Sequence, residues 1–176
     1  MCSMNNNWIV ASFQILANGS LVAALMTVVM GGIVRVTGSG LGCPDWPMCH
    51  GSLIPPWELS SWIEYLHRLS AAVAGVFIVG MAVSGLMKFG AKHKCMRLIF
   101  VAVVLVGIQA GLGAMTVLSE LSPAIALIHT GVATALVGAL SFIVATAPIE
   151  RTVYLGSSSI KNRYGLRRIV MLLAVS

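Results

Sequence analysis

Four apolar stretches alternate with connections that are broken by glycine and proline or loaded with basic residues. They run from Phe13 to Val34, Ile63 to Met87, Leu98 to Leu118 and Ala124 to Ala147. A helix needs about 20 residues to cross a bilayer, and each stretch is about that long. The pattern predicts an all-α, multi-pass membrane protein built as a four-transmembrane-helix bundle. The first connection, from Thr37 to Ser61, contains Gly38, Gly40, Gly42, Pro44, Pro47, Gly51, Pro55 and Pro56. Breakers at that density predict an irregular, compact cap with at most a short helical turn. Trp46, Trp57 and Trp62 suit a segment lying at headgroup level, and anchoring to the interface accounts for at least two of them.

Composition agrees with this pattern. Of 176 residues, 58% are hydrophobic and 9% are charged, too few polar side chains to coat a water-soluble globule. The formal net charge of +6 is not a nucleic-acid signal, because the basic residues lie in connections rather than along one face. Lys88, Lys92, Lys94 and Arg97 fall between the second and third stretches, and Arg151, Lys161, Arg163, Arg167 and Arg168 follow the fourth. By the positive-inside rule both termini face the cytoplasm, and the Thr37–Ser61 loop and the Ser119–Ser122 turn face outward. The opening segment lacks a basic n-region and a cleavage site, which predicts a retained first span. Residues 1–150 then form the bundle and 151–176 a cytoplasmic basic tail. The eight residues after Arg168 are too few to cross a bilayer, so they read as the start of a truncated fifth span or as an amphipathic end on the inner surface.

Ionisable residues at membrane depth are expensive and tend to mark function. His67 follows Trp62 by a few residues, His129 follows Pro123 by a few, and both of their helices start at the outer surface. At about 1.5 Å per residue both imidazoles lie roughly 8–10 Å inside, at one level. Two axial nitrogens on facing helices are what a six-coordinate haem iron needs. A single intramembrane histidine is more often a packed core residue; two at matched depth reverse that balance. Glu64, three residues before His67, shares its helix face. It is either an interfacial carboxylate, wet or paired with Arg68 or Arg35, or a proton acceptor beside a haem edge. Arg35 and Arg68 are candidates for haem propionates, although retention at the interface explains them nearly as well. Cys43 and Cys49 lie in the outer loop, on the oxidising side, where a reversible, exposed disulfide is expected. Cys2 and Cys95 are expected to be free thiols, and His50 and His93 to be solvated. A faint echo between Ile63-Glu64-Tyr65-Leu66-His67 and Ile125-Ala126-Leu127-Ile128-His129 leaves duplication of a helix pair an even choice.

Three motifs occur in order: Gly31-Gly32-Ile33-Val34-Arg35-Val36-Thr37-Gly38-Ser39-Gly40-Leu41, then Cys43-Pro44-Asp45-Trp46-Pro47, then Ile63-Glu64-Tyr65-Leu66-His67-Arg68. Together they closely resemble the haem A synthase family, over most of the first 150 residues. The resemblance implies an eight-helix protein of two similar halves. The amino-terminal half takes haem O as substrate, and the other half holds a haem b cofactor. It implies oxidation of the C8 methyl of haem O to the formyl group of haem A, by two hydroxylations and collapse of a gem-diol, for cytochrome oxidase. Glu64 then stands at the essential acid, His67 and His129 at the ligand pair, and Cys43 and Cys49 at the outer-loop cysteines. Partners implied are haem O synthase and cytochrome oxidase assembly components. The departure is length, so the chain is expected to be a fragment or a half-size form that pairs with another copy as a homo-oligomer, with haem b in the absent half or in that copy. Two rivals remain: a membrane thiol–quinone oxidoreductase, which leaves the matched histidines unexplained, and a haem-binding electron-transfer module without catalysis.

Overall fold

A computed structural model describes the backbone of residues 7–146 and the side chains from residue 12 onward. The tail from 151 to 176, with its proposed fifth span, and Cys2 lie outside the described residues. Four helices account for nearly all of it: α1 (Asn7–Val36), α2 (Leu59–Phe89), α3 (Lys94–Leu118) and α4 (Pro123–Thr146). All four are long and apolar enough to cross a membrane, and the molecule is a multi-pass, all-helical membrane protein. α1, α2 and α3 begin four to six residues before the apolar stretches that signal them. Hydropathy detects only the part in hydrocarbon, whereas the backbone stays helical into the interface so that its terminal polar groups remain paired or reach water.

The helices run up and down around a ring. α1 packs on α2, α2 on α3, α3 on α4 and α4 back on α1, while the backbones of the diagonal pairs α1/α3 and α2/α4 stay apart. α1 and α2 are the most intimate pair, because small residues let their backbones close in. Ala17, Ser20, Ala24 and Ala74 are all buried, and a Cβ on Gly19 would stand 2.6 Å from the ring of Phe77.

The packed core occupies only one half of the bundle. Phe13, Ala17 and Ala24 of α1 meet Ile78 and Met81 of α2, Met96, Ile99 and Ala102 of α3, and Leu136, Leu140 and Ile143 of α4. All of these lie toward the basic α2–α3 connection. That end is finished by local contacts: the His93 ring accepts from the Cys95 N–H at 3.2 Å as the α3 N-cap and stacks on Phe89. His93 is exposed, as expected for a solvated residue, and also caps α3. In the other half, between Met26–Val36, Leu59–Val73, Val103–Leu118 and Pro123–Ala135, the one buried helix hydrophobe is Val117.

Candidate functional site

The half without a packed core holds both intramembrane histidines. His67 lies eight residues into α2 and His129 six into α4, about 12 and 9 Å from their helix starts. The two histidines are carried by α2 and α4, the diagonal helices of the ring. The Nδ1 atom of each ring is buried and has no hydrogen-bond partner.

Each ring also lies against a glycine of the preceding helix. A Cβ at Gly31 of α1 would come 3.0 Å from Cε1 of His67, and one at Gly113 of α3 would come 3.6 Å from Cε1 of His129. The α1–α2 and α3–α4 hairpins thus place their histidines in the same way, a structural counterpart to the sequence echo. The two distances give different predictions. At 3.0 Å the ring must shift, so Gly31→Ala should displace His67 and alter any spectrum that depends on it. At 3.6 Å Gly113→Ala makes ordinary contact and should leave the spectrum unchanged. Optical spectra of the two variants with haem bound check this; equal responses would refute the assignment of Gly31 as the tighter wall.

The Thr37–Glu58 loop folds down over the first turns of α2 and is tied to it by charge-assisted hydrogen bonds. Glu64, only 3% exposed, accepts the Cys43 N–H on Oε2 at 2.8 Å and pairs with Arg68 through Oε1. Arg68 in turn donates to the carbonyls of Cys43 (2.7 Å), Asp45 (2.8 Å) and Met48 (2.8 Å). One guanidinium therefore ties three loop carbonyls to the carboxylate, and its positive charge offsets the burial of Glu64. Ser61 Oγ donates to the Gly42 carbonyl at 2.6 Å, and His50 Nε2 meets the same oxygen at 2.9 Å. Gly42 has no room for a side chain, because a Cβ would collide with the Ser60 carbonyl. Asp45 accepts from the N–H groups of His50 (2.6 Å) and Gly51 (2.7 Å). The Gly51 N–H chiefly holds its carboxyl below the ordinary carboxylate range. Arg35, by contrast, is exposed at the end of α1.

Cys43 and Cys49 form a disulfide with Cα atoms 4.6 Å apart. It is buried rather than exposed: Cys43 is fully shielded and Cys49 is 2% exposed. Sequence spacing permits the bond but is blind to the Arg68 clamp that folds the loop over it. Neither cysteine should react with a membrane-impermeant alkylating agent in protein isolated aerobically, and reduction in the folded state should be slow. Both should label after denaturation with reductant. Rapid labelling of the folded, unreduced protein would contradict the burial.

Sequence reasoning also passed over Gln109. Its Nε2 donates to the His129 carbonyl at 2.8 Å, and its Oε1 is buried without a partner. Its intramembrane polarity was the one available signal. Taken together, the two histidines on diagonal helices and the surrounding apolar helix faces fit a flat, largely apolar macrocycle with a central metal.

A family model described as cytochrome oxidase assembly protein (COX15-CtaA) matches residues 14–61 and 57–176. The Heme A synthase of Bacillus licheniformis is 36% identical over 112 residues, 63% of this chain and 37% of that protein. That of Exiguobacterium sp. is 34% identical over 110 residues, 61% of this chain and 36% of that protein. That of Geobacillus kaustophilus is 30% identical over 129 residues, 73% of this chain and 41% of that protein. The chain spans about two fifths of the length of these curated relatives.

Proposed function

The chain belongs to the cytochrome oxidase assembly protein family (COX15-CtaA), and from that membership we propose that it takes part in haem A biosynthesis, with haem O as the substrate of the site between α2 and α4. The observation that carries this reading is the pair of intramembrane histidines at similar depth on α2 and α4, the diagonal helices of the ring. In the proposed complex His67 and His129 bind the iron of haem O from opposite faces, and the apolar helix walls receive the porphyrin. Iron ligation through Nε2 leaves the proton on Nδ1, the tautomer that ligating histidines adopt. Exposed Arg35 pairs with a propionate at the mouth. Arg68 reaches the substrate only through the loop and Glu64.

The reaction is the four-electron oxidation of the C8 methyl of haem O to a formyl group, in which water supplies the oxygen atom, four protons are released and the electrons leave to an external acceptor. Glu64 takes up protons released at that carbon, or stabilises positive charge developing there, held in place by Arg68 and the Cys43 N–H. The Cys43–Cys49 loop covers the carboxylate and keeps bulk water from it. Haem b belongs to a second four-helix half in the eight-helix arrangement. The basic α2–α3 connection faces the cytoplasm together with both termini, the disulfide loop faces outward, and the product passes to cytochrome oxidase assembly components.

The test is to purify the full chain from membranes that contain haem O, record its spectrum, and extract and weigh the bound haem. A low-spin, bis-histidine spectrum with haem O, haem A or a hydroxylated intermediate is the expected result. Absence of haem, with quinone reduction dependent on Cys43 and Cys49, would replace this reading with a thiol–quinone oxidoreductase.

A further inference from the structure

Gln109 sits on α3 one helical turn from Gly113, the residue against which the His129 ring lies. Its carboxamide orientation is set by chemistry: the partner is the His129 carbonyl, an acceptor, so the amide nitrogen must face it. The oxygen is thereby directed away from that contact, and it is buried with no donor to meet it. A buried acceptor without a partner costs free energy, and native structures keep few of them. Among the described residues, three of the five buried polar side-chain atoms without a partner belong to His67, His129 and Gln109. The other two, Trp62 Nε1 and Ser84 Oγ, belong to residues near opposite ends of α2. Gln109 also lies outside the packed core, in the part of α3 that borders His129.

We propose that Gln109 is a specificity-determining residue, whose carboxamide oxygen accepts a hydrogen bond from a hydroxyl on the porphyrin's side chain and so selects haems bearing a hydroxyalkyl substituent over those bearing only vinyl or alkyl groups. This rests on the haem reading of the same site and deepens it. Haem O carries such a group, the hydroxyl on the first carbon of its isoprenoid arm, whereas protohaem carries vinyl groups there. An apolar wall grips both nearly equally. A single buried acceptor separates them, because a substrate without the hydroxyl leaves that acceptor unpaired. The anchor through Nε2 holds the oxygen in place before substrate arrives, so little is lost in ordering it.

The test compares haems that lack the isoprenoid chain, using the full chain in detergent. Haematohaem, which carries hydroxyethyl groups, is titrated against mesohaem, which carries ethyl groups at the same positions. The wild type should favour haematohaem more than Gln109→Leu does, by about fivefold in the ratio of the two affinities, as one net neutral hydrogen bond implies. Taking the ratio cancels any general loss of stability or of haem affinity in the variant. Should Gln109→Leu fail to fold, the wild type alone suffices with the O-methyl ether of haematohaem, which keeps the oxygen but not the donor and should lose the preference. An unchanged affinity ratio in Gln109→Leu, or an ether bound as tightly as the alcohol, overturns the assignment of Gln109 while leaving the histidine pair intact. Failure of every haem to give a bis-histidine spectrum in the wild type overturns the haem reading itself.

Discussion

Replacing either His67 or His129 with alanine should abolish the low-spin spectrum of the haem-loaded protein and lower its haem content by at least about tenfold, since even outer-shell changes at metal sites cost that much. The two substitutions should be nearly equivalent, because the rings occupy corresponding positions in the two hairpins, each against a glycine. Folding should suffer little. The residues that pack the bundle, from Phe13 to Ile143, lie in the other half, and removing an imidazole with an unpartnered Nδ1 breaks no hydrogen bond of that atom. Optical spectra and pyridine haemochrome content, with helix content by circular dichroism as the folding control, provide the measurement. A double His67→Ala, His129→Ala variant that retains normal haem content and spectrum would remove the basis for the proposed site.

Glu64 should give the second large effect, and the structure separates its two roles. Glu64→Ala leaves Arg68 without its carboxylate and the Cys43 N–H without its acceptor. Breaking a buried ion pair from one side costs about 3–5 kcal/mol, discounted here because Arg68 is 16% exposed. The alanine variant should therefore loosen the loop as well as stop the chemistry. Glu64→Gln retains an oxygen for Cys43 or Arg68 and removes only the charge. In membranes where the wild type makes haem A, the glutamine variant should keep its bis-histidine spectrum and its slow disulfide reduction. Its turnover should fall about 100-fold or more, within the range for a lost acid–base group, with haem O or a hydroxylated intermediate accumulating. Normal haem A yield from Glu64→Gln would end the proposed proton role and favour a haem-binding module without catalysis. From sequence, an interfacial carboxylate is expected to matter little for folding; its burial under the loop shows that it also has a structural part.

Much of this architecture can be read along the chain, and the reason is locality. Span length, helix ends and charge bias are properties of consecutive residues, so the four helices and their order follow from hydropathy. The matched depth of His67 and His129 follows too, since helix rise converts residue number into distance. The Glu64–Arg68 pair was legible as one of two choices, because residues four apart share a helix face.

What the sequence determined by itself is therefore a four-helix membrane bundle with two histidines near one end. The tertiary structure decided which helices oppose one another. It set α2 and α4 on the diagonal, confined the packed core to the basic half, and put a glycine behind each imidazole. It also decided that Arg68 closes on three loop carbonyls, that the Cys43–Cys49 bond is covered, and that Gln109 reaches the His129 carbonyl with its oxygen left unpaired. The physical reason is common to all of these. In hydrocarbon, side-chain polarity fixes how deep a residue sits but not which neighbour it meets, since lipid and protein walls are about equally apolar. Partner choice is instead set by close approach of small residues and by buried hydrogen bonds between segments far apart in sequence.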